Sequence, residues 1–265
     1  LNILGNSTIY GAFTNLGTVH WSNGTVTLYN LNNGAASQVW NQPGALWDVD
    51  CDQSMLVGYY PTIFKNAGEL RKTASSGSTT IFVNVTNAGV ITAQSGVLNF
   101  ASTFYATPQS DLRIILGGAT PPPAFGRIAF TSPLALAGGF SVSATNGYLP
   151  NVGDSFPVLS YPSASGDFAH LDGLDLGSGV RLNPLFGKAG LTLVAVGYQA
   201  TTPPSLVVAR SNHGLYLGWP DAATGWTLTT ATNLTGSTWA PITVAGANNT
   251  ILDAPLPEQY FRLEK

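Results

Sequence analysis

Charge is what this sequence has least of. Lys and Arg number 10 and Asp and Glu 13 in 265 residues, so 9% of positions are charged and the formal net charge is −3. An ordinary soluble domain carries about a quarter of its residues as charges. The densest basic group is Lys65, Arg71 and Lys72, too few to displace counterions from a phosphate backbone, which argues against nucleic acid as a partner. The one cysteine, Cys51, excludes an internal disulfide. No apolar run approaches the roughly 18 residues of a membrane helix; Ile114 to Ala119 and Leu191 to Val196 have the length of strands, and membrane insertion is not expected. No segment carries a helical apolar period. The three histidines, His20, His170 and His213, stand apart, and neither Gly-x-Ser-x-Gly nor His-Glu-x-x-His occurs, so the common hydrolase and metal sites have no support. This inventory predicts no enzyme and no cofactor.

The chain is instead 44% hydrophobic, with 30 Gly and 17 Pro, a composition of many strands and turns and not of a disordered chain. A local pattern recurs four times: Phe13-Thr14-Asn15-Leu16-Gly17, Trp40-Asn41-Gln42-Pro43-Gly44, Phe64-Lys65-Asn66-Ala67-Gly68 and Val85-Thr86-Asn87-Ala88-Gly89. The glycines are 27, 24 and 21 residues apart, the length of one coil in a stacked β architecture. Gly takes positive φ without a Cβ penalty and Asn tolerates it, so each Asn-x-Gly reads as a turn from one strand into the next. Coils stacked in register would also stack the Asn side chains, each amide bonding the next. The competing reading is four unrelated hairpin turns in an ordinary sandwich.

Strands are expected at Ser7–Tyr10, Thr18–Trp21, Thr25–Tyr29, Leu46–Val49, Met55–Tyr60, Glu69–Thr73, Thr79–Val85, Val90–Ala93 and Val97–Phe100, several alternating with period two. The predicted fold is all-β: a right-handed parallel β-solenoid over 1–197, a Pro-rich linker at 198–204, and a small antiparallel β-sandwich at 205–265. Trp21, Trp40 and Trp47 follow the repeat and are expected inside the solenoid, and Trp219, Trp226 and Trp239 in the sandwich core.

Between residues 60 and 197 the order Phe64-Lys65-Asn66-Ala67-Gly68, Gly138-Gly139-Phe140, Asn146-Gly147-Tyr148, Gly153-Asp154-Ser155-Phe156 and Leu191-Thr192-Leu193-Val194 resembles the β-solenoid stalks of large bacterial surface proteins, with repeats like those of autotransporter passengers. From 205 onward, Leu217-Gly218-Trp219, Gly225-Trp226-Thr227-Leu228, Asn233-Leu234 and Tyr260-Phe261-Arg262-Leu263 are similar to the C-terminal β-sandwich of secreted proteins of Verrucomicrobia and Planctomycetes. The resemblance implies export and placement at the cell surface. A start at Leu1 reads as a removed leader, and sequons at Asn6, Asn23, Asn84, Asn233 and Asn248 are acceptors where a glycosylating route exists.

Three features carry candidate chemistry. Asp48, Asp50 and Asp52 alternate along one stretch, which puts three carboxylates on one strand face about 7 Å apart per pair, a set that Ca²⁺ would bridge and solvent would otherwise screen. Asp172 and Asp175 in Leu171-Asp172-Gly173-Leu174-Asp175 resemble a calcium-binding β-roll turn. At the N-terminus Leu1, Ile3, Leu4, Ile9 and Tyr10 lie in a segment without charged side chains, as a strand that pairs with another subunit would be. The functional expectation is an extracellular structural protein that self-assembles head-to-tail into a surface fibre or sheath. The alternatives are an adhesin that binds a surface glycan and, third, a β-helix polysaccharide lyase using paired carboxylates such as Asp48 and Asp50.

Overall fold

The computed structural model describes residues 1–30, 38–59, 61–119, 124–198, 203–235, 238–244, 246, 248–253, 255–256 and 258–265. Tyr60 at the end of one expected strand and most of the expected linker lie outside them. The first coil is β1 (Asn2–Leu4), β2 (Ser7–Tyr10) and β3 (Phe13–Asn15); the second is β4 (Thr18–Asn23), β5 (Val26–Tyr29) and β6 (Gln38–Asn41). There follow β7 (Leu46–Val49), β8 (Ser54–Val57) and β9 (Ile63–Asn66), then β10 (Glu69–Lys72), β11 (Ser78–Ile81) and β12 (Asn84–Asn87), then β13 (Val90–Ala93), β14 (Val97–Phe100) and β15 (Phe104–Ala106). Two further coils are β16 (Asp111–Leu116), β17 (Arg127–Phe130) and β18 (Leu134–Leu136), and β19 (Gly139–Ala144), β20 (Ser155–Ser160) and β21 (Ala164–Gly166). Strands pair in parallel with their counterparts one coil away, giving two sheets that run the length of a β-solenoid and a third that is interrupted between β15 and β18, where β18 and β21 pair separately.

Inward positions stack into apolar columns. Val19, Trp47, Leu70, Ile91, Leu112, Phe140 and Leu171 are in register in the first sheet, and all are buried. Each such side chain contributes about 1.5–3 kcal/mol of burial, and none is covered without the coils above and below it. The third sheet, absent from the expected strands, consists of the short segments that precede each turn. The expected strand Thr79–Val85 is two strands with a corner at Phe82 and Val83.

The solenoid closes at its C-terminal end. After β22 (His170–Asp172), the long hairpin β23 (Val180–Gly187) and β24 (Gly190–Gly197) adds antiparallel strands to the second sheet. β25 (Val207–Arg210), β26 (Gly214–Gly218), β27 (Thr227–Ala231), β28 (Ala240–Pro241), β29 (Asn249–Asp253) and β30 (Tyr260–Glu264) form two three-stranded antiparallel sheets, a small sandwich. Leu217, Trp219 and Leu228 are its core. Alternation along β26 and β29 turns Tyr216 and Ile251 the other way, into the solenoid core. One sheet of the sandwich therefore serves two cores.

At the corner before the first sheet the Asn side chains form a ladder. Asn15, Asn41, Asn66 and Asn87 are buried, and each of the first three donates Nδ2 to Oδ1 of the next at 2.8 Å. The second Nδ2 hydrogen goes to the Leu46, Glu69 and Val90 carbonyls at 2.9 Å, so the buried amides are well satisfied. Two expectations about this corner need correction. Gly17, Gly68 and Gly89 do not adopt positive φ; of the repeat glycines only Gly44 does, at 79°, where one extra residue separates it from Asn41. What requires glycine is close stacking: a Cβ at Gly68 would stand 2.2 Å from the Ala45 carbonyl oxygen, and one at Gly89 2.1 Å from that of Gly68. At Gly17, on the first coil, a Cβ would meet nothing within 4 Å. Trp40 is the other correction. It is 42% exposed with Lys65 Nζ 4.7 Å from its ring centroid, because it immediately precedes the inward-facing Asn41, and strand side chains alternate. Trp21, Trp47 and Trp219 are buried.

Two outcomes follow for equilibrium denaturation. Asn66→Ala removes three buried hydrogen bonds, from Asn41 and to Asn87 and the Val90 carbonyl, and is expected to cost about 3 kcal/mol at roughly 1 kcal/mol per bond, against under about 0.5 kcal/mol for Asn99→Ala on the outer surface. Gly89→Ala is expected to cost roughly 1–3 kcal/mol by overpacking against backbone, with Gly17→Ala near neutral. Equal effects at Gly17 and Gly89 would refute the stacking account.

Candidate functional site

The outer face of the first sheet carries most of the polar chemistry. His20, Asp48, Arg71, Thr92, Arg113, Ser141 and Asp172 form one register row across seven strands. Asp48 is buried and bidentate: Arg71 Nε reaches Oδ1 at 3.1 Å and a second guanidinium nitrogen reaches Oδ2 at 3.2 Å. The Asp48 hydrogen bond raises the Arg71 pKa against the opposing effect of burial. Thr73 Oγ1 donates to Asp50 at 2.5 Å and lies 3.1 Å from Asp48 Oδ1, and His20 Nδ1 lies 3.6 Å from Asp48 Oδ2. His20, Asp48 and Asp50 each offer a ligand atom, all within 4.8 Å of one another.

Asp52 does not belong to this group. β7 ends at Val49, and the chain turns the corner before Asp52, so the three carboxylates do not share a strand face. Asp52 instead faces Lys72, whose side chain is fully buried. Lys72 Nζ is 2.9 Å from the Cys51 carbonyl oxygen, 2.9 Å from Asp52 Oδ1, 2.7 Å from Ser75 Oγ and 3.1 Å from Thr79 Oγ1. Burial by itself would raise the Asp52 pKa, but hydrogen bonds from Lys72, Ser75 and the Gly77 amide, with the Lys72 charge, hold it below its ordinary value of 3.8. Burial pushes the neighbouring Cys51 thiol up. The three basic residues that cluster in sequence thus take three places: Lys65 over Trp40, Arg71 on the outer face, Lys72 inside. A run of alternating acids carries no signal for either partner, because both come from the next coil.

Asp172 and Asp175 do not face a common site either. Asp172 pairs with His170 Nδ1 at 2.8 Å. Asp175 accepts from the Gly177 and Asp221 amides at 2.9 and 2.8 Å and from Tyr198 Oη at 2.9 Å, which binds the sandwich to the solenoid end. Burial, then the bond to Asp175, pushes the Tyr198 hydroxyl up to about 12. Asp167 performs the same service, accepting from Ser211 Oγ and from the Asn212 and His213 amides at 3.1, 2.8 and 2.9 Å. Buried Arg181 completes the junction with a 2.7 Å bond to the Trp219 carbonyl and a contact to the Tyr216 hydroxyl.

β1, β2 and β3 are edge strands of three sheets at once. Ile3 is buried and Ile9 packs against the core, whereas Leu1, Leu4 and Tyr10 are exposed, Leu4 at 71%, and so is Leu16 at 80%. The ladder points its unfilled acceptor side this way, since Asn15 Oδ1 accepts only from its own corner, from Gly17 N at 3.2 Å.

No protein-family model matches this chain, and no curated protein matches it.

The Lys72–Asp52 pair has a definite pH signature. A carboxyl depressed in the folded state stabilises the fold above its unfolded pKa and loses that contribution as pH falls through the folded value. The melting temperature is therefore expected to fall on acidification below about pH 3.8, with a shallower fall for Asp52→Asn. Lys72→Met takes the buried cation away from Asp52 and its bonds away from Ser75, Thr79 and the Cys51 carbonyl, the last of which keeps the Thr79 hydroxyl as donor, and is expected to destabilise at neutral pH by about 2–4 kcal/mol. Parallel acid limbs in the parent and Asp52→Asn would refute the assignment.

Proposed function

We propose that this chain is an extracellular structural protein, a rigid β-solenoid subunit without a catalytic centre that assembles with further copies through strand pairing at its first coil. The observation that carries this reading is the set of three parallel edge strands on the first coil beside exposed apolar side chains. The far end is covered by an antiparallel hairpin and a docked sandwich, which are devices that stop a sheet from growing. The first coil presents β1, β2 and β3 as parallel edge strands, with exposed leucines and no charged side chain.

The chemistry of the outer face supports the same reading. Asp48 is already neutralised by Arg71 and held by Thr73, so it serves cross-coil bonding and not proton transfer. A second copy is the partner, and its edge strands are those of the C-terminal sheets, because the solenoid's own far edge is covered. A head-to-tail contact of this kind repeats without closing and builds a filament unless its rotation closes a ring.

The geometry of β2 supplies a test that spares the fold. Ser7 N and Gly11 N bond to Thr25 and Tyr29 carbonyls on the second coil, so by the two-residue period the Thr8 amide points away from the protein. Thr8→Pro removes an outward donor and leaves the internal ladder intact. With Leu4→Lys it is expected to give folded monomers of unchanged melting temperature, read by sedimentation velocity and electron microscopy, where the parent protein forms filaments. A parent chain that stays monomeric at high concentration, or a double variant that polymerises like the parent, overturns the proposal.

A further inference from the structure

A second surface lies on the flank of the solenoid, at the corner between the second and third sheets. Val57, Tyr59, Pro61, Thr62, Phe82 and Asn84, with Ser102, line a groove of about 360 Å³, within the roughly 300–1,000 Å³ of small-ligand sites. Its walls are aromatic: Tyr59 is 67% and Phe82 45% exposed, unusual for large rings in a chain that buries most others. Its polar groups are neutral. Ser102 Oγ donates to Asn84 Oδ1 at 2.7 Å, which fixes that carboxamide with its NH₂ group as the donor left over. Thr62 is fully buried, and its hydroxyl has no hydrogen-bond partner. A buried hydroxyl without a partner costs about 1–3 kcal/mol, and here it belongs to a residue that lines a groove.

The groove is continuous with a file of tyrosines. Tyr59 stacks on Tyr29 with centroids 6.2 Å apart and planes inclined by 14°, and Tyr29 meets Tyr10 at 5.4 Å. Gly58 makes room for this file, since a Cβ there would stand 2.3 Å from the Tyr29 ring. The rings thus run along the solenoid axis over three coils.

We infer that this groove binds a neutral polysaccharide chain, with sugar C–H faces against Tyr59 and Phe82 and sugar hydroxyls bonded to Thr62, Asn84 and Ser102. The charge pattern selects the ligand class: among the described residues no Lys, Arg, Asp or Glu lines the groove, so these residues hold nothing to pair with a uronic acid, a sulfated glycan or a charged peptide. An apolar peptide or lipid would leave the Thr62 hydroxyl and the Asn84 amide unpaired, whereas a sugar supplies both an apolar face and hydroxyls. The groove itself is lined by residues of the third, fourth and fifth coils, so its test is separate from that of assembly at the first coil.

Affinity electrophoresis of the full chain in gels containing xylan, hydroxyethyl cellulose or a galactomannan, with pectate and alginate as anionic counterparts, tests the inference. Retardation is expected in at least one neutral gel and in neither anionic one. Tyr59→Ala and Phe82→Ala are each expected to weaken it by roughly tenfold, the scale of one aromatic contact. Thr62→Val keeps the shape, removes the unpartnered hydroxyl and is expected to weaken binding several-fold without loss of melting temperature, which separates a ligand contact from a folding defect. The inference is overturned if no neutral polysaccharide retards the protein, if the anionic ones do so equally, or if binding persists undiminished in all three variants.

Discussion

Everything in this structure rests on coils lying directly upon one another at strand spacing, about 4.8 Å. At that distance a backbone carbonyl of one coil sits where a side chain of the next would begin, which is why Gly68 and Gly89 have no Cβ to spare. The same spacing lets a carboxamide reach its equivalent one coil away. The Asn ladder is therefore both a consequence of register and its guard: a slip of one residue would turn four buried amides outward and four apolar columns with them.

The stacking also decides where charge can go. An outward position has neighbours one coil away on either side, so Asp48 finds Arg71 and Asp111 finds Ser141 across coils, Asp111 pairing also with Arg113 on its own strand. Inward positions are mostly apolar; the Asn ladder and Thr79 are neutral exceptions, and Lys72 is a charged one. It is tolerated because a corner supplies it with a carboxylate, a carbonyl and two hydroxyls at bonding distance, the condition under which a buried ammonium survives. The low charge of the whole chain is then intelligible. Coils stacked in register are strengthened by like apolar neighbours, and most of the few charges in the solenoid find a partner across coils.

The C-terminal end of the solenoid is built differently from its coils. At the C-terminal end antiparallel strands, a second small core and the Asp167, Asp175 and Arg181 bonds cover the last coil, and the sheet containing Tyr216 is shared between both cores. At the first coil β1, β2 and β3 are edge strands beside exposed leucines. Along the flank a feature repeats with the coil, as the Tyr10, Tyr29 and Tyr59 file does.

The Asn-x-Gly repeat by itself determined the parallel solenoid, its coil length and the amide ladder, because an Asn that recurs before a Gly at strand-coil intervals has few other physical uses. Parity counted from that Asn also held the place of Trp40: Val39, not Trp40, occupies the inward position two before Asn41. Other features were decided only by tertiary structure. The φ of Gly68 does not follow from its turn, since the obstacle is a carbonyl from another coil. The partners of Asp48 and Asp52 stand about 20 residues downstream, on a coil whose register is set by core packing. The third sheet was hidden because its strands are three or four residues long and lie within the turn signals themselves. The groove at Thr62, Phe82 and Ser102 joins residues of three successive coils, and no local pattern marks it. Sequence specifies what repeats, through local geometry; what lies side by side across the repeat is settled by the stacking.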